Sequence, residues 1–189
     1  MKKRIFNIFL RYVILVLAGL SNFYIFYLIF TPLTIYPLYY LFSIFFETEI
    51  LKNVILVGNY EIKMVEACIA GAAYYLLFAL NLSTPMNLKK RAYALLFTFF
   101  SFFIINILRV FILTSILVTY DKAIFDFVHL FFWYVFSTLV VVFLWILTVK
   151  AYEIKAIPAY TDIKFIWDLG KESRLKKKLK KSKKSKTRK

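Results

Sequence analysis

The sequence predicts an all-α integral membrane helical bundle of about four spans, with one re-entrant or interfacial segment and a small extracytoplasmic β-hairpin. Three observations point there. Of the 189 residues, 62% are hydrophobic and 21% aromatic, with four Gly and four Pro; a soluble domain of this size lacks the interior volume to hide so many apolar side chains. Apolar runs recur that are long enough to cross a hydrocarbon core of about 30 Å, which takes about 20 helical residues. Basic residues fall at the ends of those runs. Residues 1–150 are expected to form a single transmembrane domain. Residues 151–189 are expected to form a cytoplasmic juxtamembrane segment and a disordered basic tail.

Met1-Lys2-Lys3-Arg4 is followed by an apolar stretch over residues 5–30. It is too long for a signal-peptide core and no small-x-small cleavage pattern follows, so an uncleaved anchor helix is expected. Residues 31–46 are apolar but contain Pro32 and Pro37. They are short for a span, which predicts an interfacial or re-entrant segment. In residues 47–66, Val54-Ile55-Leu56-Val57 and Glu61-Ile62-Lys63-Met64-Val65 flank Gly58-Asn59, a hairpin signature. Glu47, Glu49, Glu61 and Glu66 place this segment in water. Three apolar stretches follow: residues 67–88 without a charge, 92–118 with only Arg109, and 123–149 with only Asp126 and the titratable His129. Short connections make them antiparallel neighbours.

Lys89-Lys90-Arg91, Lys150 and the cationic C-terminal run mark cytoplasmic ends, as do Lys2, Lys3 and Arg4. Four spans with both termini cytoplasmic satisfy all of these signals and leave the hairpin outside. A fifth span at residues 31–46 would break the agreement. The expected location is the cell membrane, multi-pass. The net charge is +16, and residues 171–189 hold ten Lys, two Arg and one Glu, or +11 of it. Such a run binds anionic lipid headgroups at about 1 kcal/mol per residue. It has no interleaved aromatics, so no specific nucleic acid is expected.

A single Cys excludes disulfide frameworks and four-cysteine zinc sites. With one His beside it, most transition-metal sites lack ligands, so neither a metal nor a cofactor is expected. The chemistry concentrates in Cys68, the only cysteine, His129, the only histidine, and Arg109, the only charge between Arg91 and Asp121. Counted along straight helices from the nearest cytoplasmic basic residue, Cys68 lies 21 residues from Lys89, Arg109 18 from Arg91, and His129 21 from Lys150. At 1.5 Å per residue these are about 31, 27 and 31 Å, which puts all three near the outer face. Each has an ordinary reading alone: an apolar filler for Cys68, an interfacial belt residue for His129, a snorkelling cation for Arg109. One height for all three favours a thiol acyl-transfer site. Thiolate is the nucleophile, a nearby guanidinium favours it, and the imidazole carries the proton. Arg109 can also stabilise the oxyanion. Asp126, three residues before His129, either orients the imidazole or is a solvated helix-start carboxylate. Asn106, three before Arg109, binds the acyl carbonyl, holds the guanidinium, or supplies packing polarity only.

These residues resemble the exosortase/archaeosortase family of membrane-embedded cysteine transpeptidases. The resemblance rests on Glu66-Ala67-Cys68-Ile69-Ala70-Gly71 after the hairpin, Asn106-Ile107-Leu108-Arg109, and Asp126-Phe127-Val128-His129. It covers about residues 54–149. Small archaeal, pacearchaeosortase-like members also carry Cys-x-Ala-Gly followed by a Tyr pair, as at Tyr74-Tyr75. Ile69 departs from the Ser or Thr that most members have after the Cys. The resemblance implies a catalytic trio of Cys68, Arg109 and His129. It implies as substrates secreted proteins ending in a recognition motif, a transmembrane helix and a basic end, with a membrane lipid as acceptor. A processing protease, in which water resolves the thioester, is a close variant. From another class, a non-catalytic membrane scaffold or assembly factor remains open, with the polar residues serving helix packing. A transporter is disfavoured, because no paired Gly- or Pro-broken helices occur at mid-membrane.

Overall fold

The long apolar stretch at the N-terminus does not run as one helix. The computed structural model describes residues 2–20, 22–120 and 122–186, the side chains of 122–123, 133–134, 173 and 175–186 excepted. Helix α1 spans Lys2–Leu20. Asn22 and Phe23 then take left-handed backbone, with φ of 49° and 59°, a conformation that ends a right-handed helix. Helix α2 resumes over Tyr24–Ser43 and carries Pro32 and Pro37 in its interior. Two expectations are thereby corrected: the extent of the anchor helix as one helix over residues 5–30, and the interfacial or re-entrant segment over 31–46. Each proline removes one ladder bond, but its fixed φ is helical. Packing holds the helix between and beyond the prolines, where Thr34, Leu38 and Phe42 are fully buried.

The polar segment forms three strands, β1 (Thr48–Leu51), β2 (Val54–Val57) and β3 (Tyr60–Lys63), in an antiparallel sheet of order β1-β2-β3. The expected hairpin is β2–β3, turned by Gly58, at φ 57°, and Asn59. Strand β1 is added through Lys52-Asn53, where Lys52 itself takes φ 56°.

A single helical turn, α3 (Glu66–Ile69), follows and stops at Ala70, with φ 58° and ψ 38°. Helix α4 covers Gly71–Ser83, and α5 covers Leu88–Thr119, 32 residues or about 48 Å. The expected continuous span over 67–88 is therefore a kinked turn and a short helix. Helix α6 (Lys122–Phe131), a π-helical turn (Phe132–Phe136) and α7 (Ser137–Ala151) keep right-handed helical dihedrals at both junctions. Helix α8 spans Tyr160–Lys186, where a juxtamembrane segment and disordered tail were expected. Most of the basic side chains expected to meet anionic headgroups lie outside the described residues.

Side-chain contacts set the directions. Phe30 meets Phe99 and Phe42 meets Phe111, so α2 runs parallel to α5. Thr98 bonds Thr148 at 3.0 Å and Tyr152 donates to the Tyr93 carbonyl at 3.2 Å, so α5 and α7 are antiparallel. Tyr74, fully buried, stacks on Phe30 and meets Phe102 edge-on at the centre. Ile55, Val57, Ile62 and Met64 seat the sheet on Leu38 and Phe42 of α2 and on Ile107 and Val110 of α5. At the other end Arg11 of α1 forms a buried ion pair with Asp162 of α8. Helices α2 and α5 are each long and apolar enough to cross a bilayer.

Candidate active site

Cys68 sits on a helix that ends two residues later. In an unbroken helix the carbonyls of Ala67 and Cys68 would accept the N–H groups of residues 71 and 72. The left-handed Ala70 denies them those partners, and buried carbonyls need replacements. Helix α5 supplies both. Arg109 Nη2 donates to the Ala67 carbonyl at 2.6 Å, and Asn106 Nδ2 donates to the Cys68 carbonyl at 2.9 Å. The three-residue spacing of Asn106 and Arg109 puts both on one face of α5, one turn apart. The Asn-x-x-Arg pair thus caps the turn that carries the cysteine.

Arg109 is 7% exposed and reaches a third element. Its Nη1 donates to Ser137 Oγ at 2.9 Å, and Ser137 Oγ in turn donates to the Phe132 carbonyl at 2.9 Å. That second bond crosses the π-turn, whose widened ring leaves the Phe132 carbonyl facing the serine. One guanidinium therefore ties the cysteine turn, α5 and the histidine helix together. Its Nε and the Asn106 Oδ1 are buried without a hydrogen-bond partner.

The three residues border one space. Cys68, Arg109 and His129 line one cavity of about 230 Å³, enclosed partly by Glu61 and Lys63 of β3 and by Thr114 of α5. Cys68 is half-buried there and carries a free thiol. His129 is half-buried and stacks on Phe125, with centroids 5.3 Å apart and rings 9° from parallel. The heights counted along straight helices do not apply to Cys68, since α4 has only 13 residues. The convergence holds by another route: the kink at Ala70 carries the cysteine turn against α5.

No protein-family model, curated protein or solved structure matches this chain.

Asp126 is exposed and outside the cavity wall, one turn before His129. Asn106 does not hold the guanidinium, since its Oδ1 has no hydrogen-bond partner; its Nδ2 holds the Cys68 backbone. Ser137, the π-turn and the charged edge of β3 were not singled out from sequence. Ser137 lies eight positions after His129 in an apolar helix, with nothing to separate it from an ordinary helical serine. Glu61 and Lys63 could be found only by knowing that β3 borders the cysteine turn. Tyr74 and Tyr75 serve packing: Tyr74 fills the core, and Tyr75 donates to the Leu15 carbonyl of α1 at 3.2 Å.

Proposed function

We propose that this chain is a membrane-embedded cysteine transpeptidase or protease of the exosortase/archaeosortase type. It cleaves the C-terminal sorting tail of secreted proteins and passes the new C-terminus to a membrane lipid. The observation that carries the reading is the shared cavity of Cys68, Arg109 and His129.

His129 takes the thiol proton and the Cys68 thiolate attacks the scissile carbonyl. Arg109 offers positive charge to the oxyanion through N–H groups that do not serve Ala67 and Ser137, two of its five being so engaged. The tetrahedral intermediate expels the tail's amine, which takes the proton from His129. A hydroxyl or amine on the lipid then gives its proton to His129 as it attacks the thioester, and the departing Cys68 thiolate takes that proton back.

A multi-pass arrangement fits the same picture. Leu96, Phe100, Ile104, Leu108 and Ile112 recur every four residues on α5 and stay exposed, a lipid-facing stripe, while Ala94, Thr98, Phe102, Asn106 and Val110 are buried on the opposite side. Arg109 lies 18 residues, about 27 Å, beyond Arg91 along the single helix α5. The cavity thus sits at the far end of the bundle from Lys89, Lys90, Arg91 and Lys150, the ends assigned to the cytoplasm. Because α2 runs parallel to α5, α1 and α2 act in series as one broken crossing, and four crossings leave both termini inside and the sheet outside.

The test replaces the gene in its own cells with Cys68→Ala. Secreted proteins that retain an apolar helix and basic end are expected to accumulate, with unchanged membrane level and thermal unfolding of the variant. Normal tail removal overturns the reading. Mass spectrometry of the mature C-termini separates a lipid adduct from hydrolysis. One observation favours the scaffold reading: both Asn106 and Arg109 bond backbone carbonyls and brace the fold. A scaffold predicts that Cys68→Ala changes no C-terminus.

A further inference from the structure

Strand β3 is the last strand of its sheet, and it leads directly into the cysteine turn. Its free side can be worked out from the pairing. A two-residue hairpin loop is closed by a pair that exchanges both backbone hydrogen bonds, and such pairs alternate with non-bonded ones along the strand. Here Val57 and Tyr60 flank Gly58-Asn59, so Ile62 also bonds inward, to Ile55. Met64 continues the series by donating to the Asn53 carbonyl at 2.9 Å. The N–H and C=O groups of Glu61 and Lys63, and the N–H of Val65, therefore point away from β2. Glu61, Lys63 and Val65 are exposed, and all three line the cavity that holds Cys68.

A row of unpaired backbone groups is a template for another extended chain. We propose that β3 binds substrate by strand addition: the segment preceding the substrate's apolar helix pairs with the outward edge at Glu61, Lys63 and Val65, and so delivers its scissile carbonyl to Cys68. This rests on the transpeptidase reading and specifies how the same site takes its substrate. The occupant is an extended peptide, because only a strand matches backbone donors and acceptors at alternate residues. Strand β3 runs toward Cys68 and the bilayer. A chain about to enter the bilayer as a helix runs the same way, so the pairing is parallel. The exposed Glu61 and Lys63 side chains flank the bound strand with charges of both signs.

The test compares Lys63→Pro with Lys63→Ala in cells that process endogenous precursors. Both lose the side chain, and only proline loses the outward N–H. An outward position on an edge strand tolerates proline, so the sheet is kept. Lys63→Pro is expected to process tails about tenfold more slowly than Lys63→Ala, as for one lost hydrogen bond. Equal rates overturn strand addition. A photo-crosslinking residue at Glu61 in the Cys68→Ala protein gives a reading independent of the fold of the proline variant. It is expected to capture precursors within the stretch just before their apolar helix. Capture from Leu117, on the α5 wall, with none from Glu61 overturns the proposal. If Cys68→Ala itself leaves processing normal, the enzymatic reading fails instead, which keeps the two failures apart.

Discussion

Arg109 does three jobs with one planar group. It caps Ala67, braces Ser137 and brings positive charge to the cysteine cavity. A lysine keeps the charge but cannot direct two N–H groups along the same diverging lines. Arg109→Lys is therefore expected to lose at least one charged hydrogen bond, worth about 1.5–3 kcal/mol or about 10–100-fold in rate, read as the rate of precursor processing. Asn106→Ala leaves the Cys68 carbonyl buried without its donor and is expected to cost about 1–3 kcal/mol, read by thermal unfolding in detergent. The catalytic candidates were legible in the sequence for a simple reason. A thiol, an imidazole and a guanidinium stand out when each is alone in an apolar segment. The role of Asn106 was not legible, since the carbonyl it serves is orphaned only by a backbone turn at Ala70. Alanine is rarely left-handed, and nothing in Cys-Ile-Ala-Gly announces it.

At the scale of elements, the kink between α3 and α4 depends on the glycine that follows it. A Cβ on Gly71 would fall 2.6 Å from the Tyr27 ring of α2. Gly71→Ala is expected to destabilise the protein by about 1–3 kcal/mol through overpacking, seen as a lower unfolding midpoint. Adding Tyr27→Ala should recover part of that loss. The positions of α5 and of the stretch from α6 to α7 followed from apolar run lengths, and the β2–β3 hairpin from Gly58-Asn59. The break at Asn22 and Phe23 did not, because the run's one glycine, Gly19, lies inside α1 and the left-handed positions fall on Asn22 and Phe23 instead. Strand β1 was hidden likewise, since its turn places a lysine where positive φ calls for glycine. Pro32 and Pro37 misled in the opposite sense, being tolerated in a helix whose far side is packed.

For the whole molecule, the two ends are held differently. The cavity end is tied by hydrogen bonds to backbone carbonyls. The basic end is fastened by Arg11 and Asp162, which are 8% and 1% exposed. Removing one partner of a buried pair strands the other charge. Asp162→Ala is thus expected to cost about 3–5 kcal/mol, and the double change to leucine much less, both measured by detergent unfolding. The assigned orientation is checked in the Cys68→Ala background with single cysteines at the exposed Lys52 or Lys155. A membrane-impermeant maleimide is expected to label the first on intact cells and the second only after lysis.

The π-turn at Phe132–Phe136 makes the histidine helix a phase-shifted rod, carrying one residue more than an α-helix would use between Ser137 and His129. Excising Val135 would restore ordinary winding. Ser137 would keep its grip on Arg109, and the helix upstream would keep its facing, because the widened turn already absorbs the residue removed. His129 would stay on the cavity wall beside Phe125, so a protein one residue shorter is expected to fold as before and to process precursors at close to the normal rate.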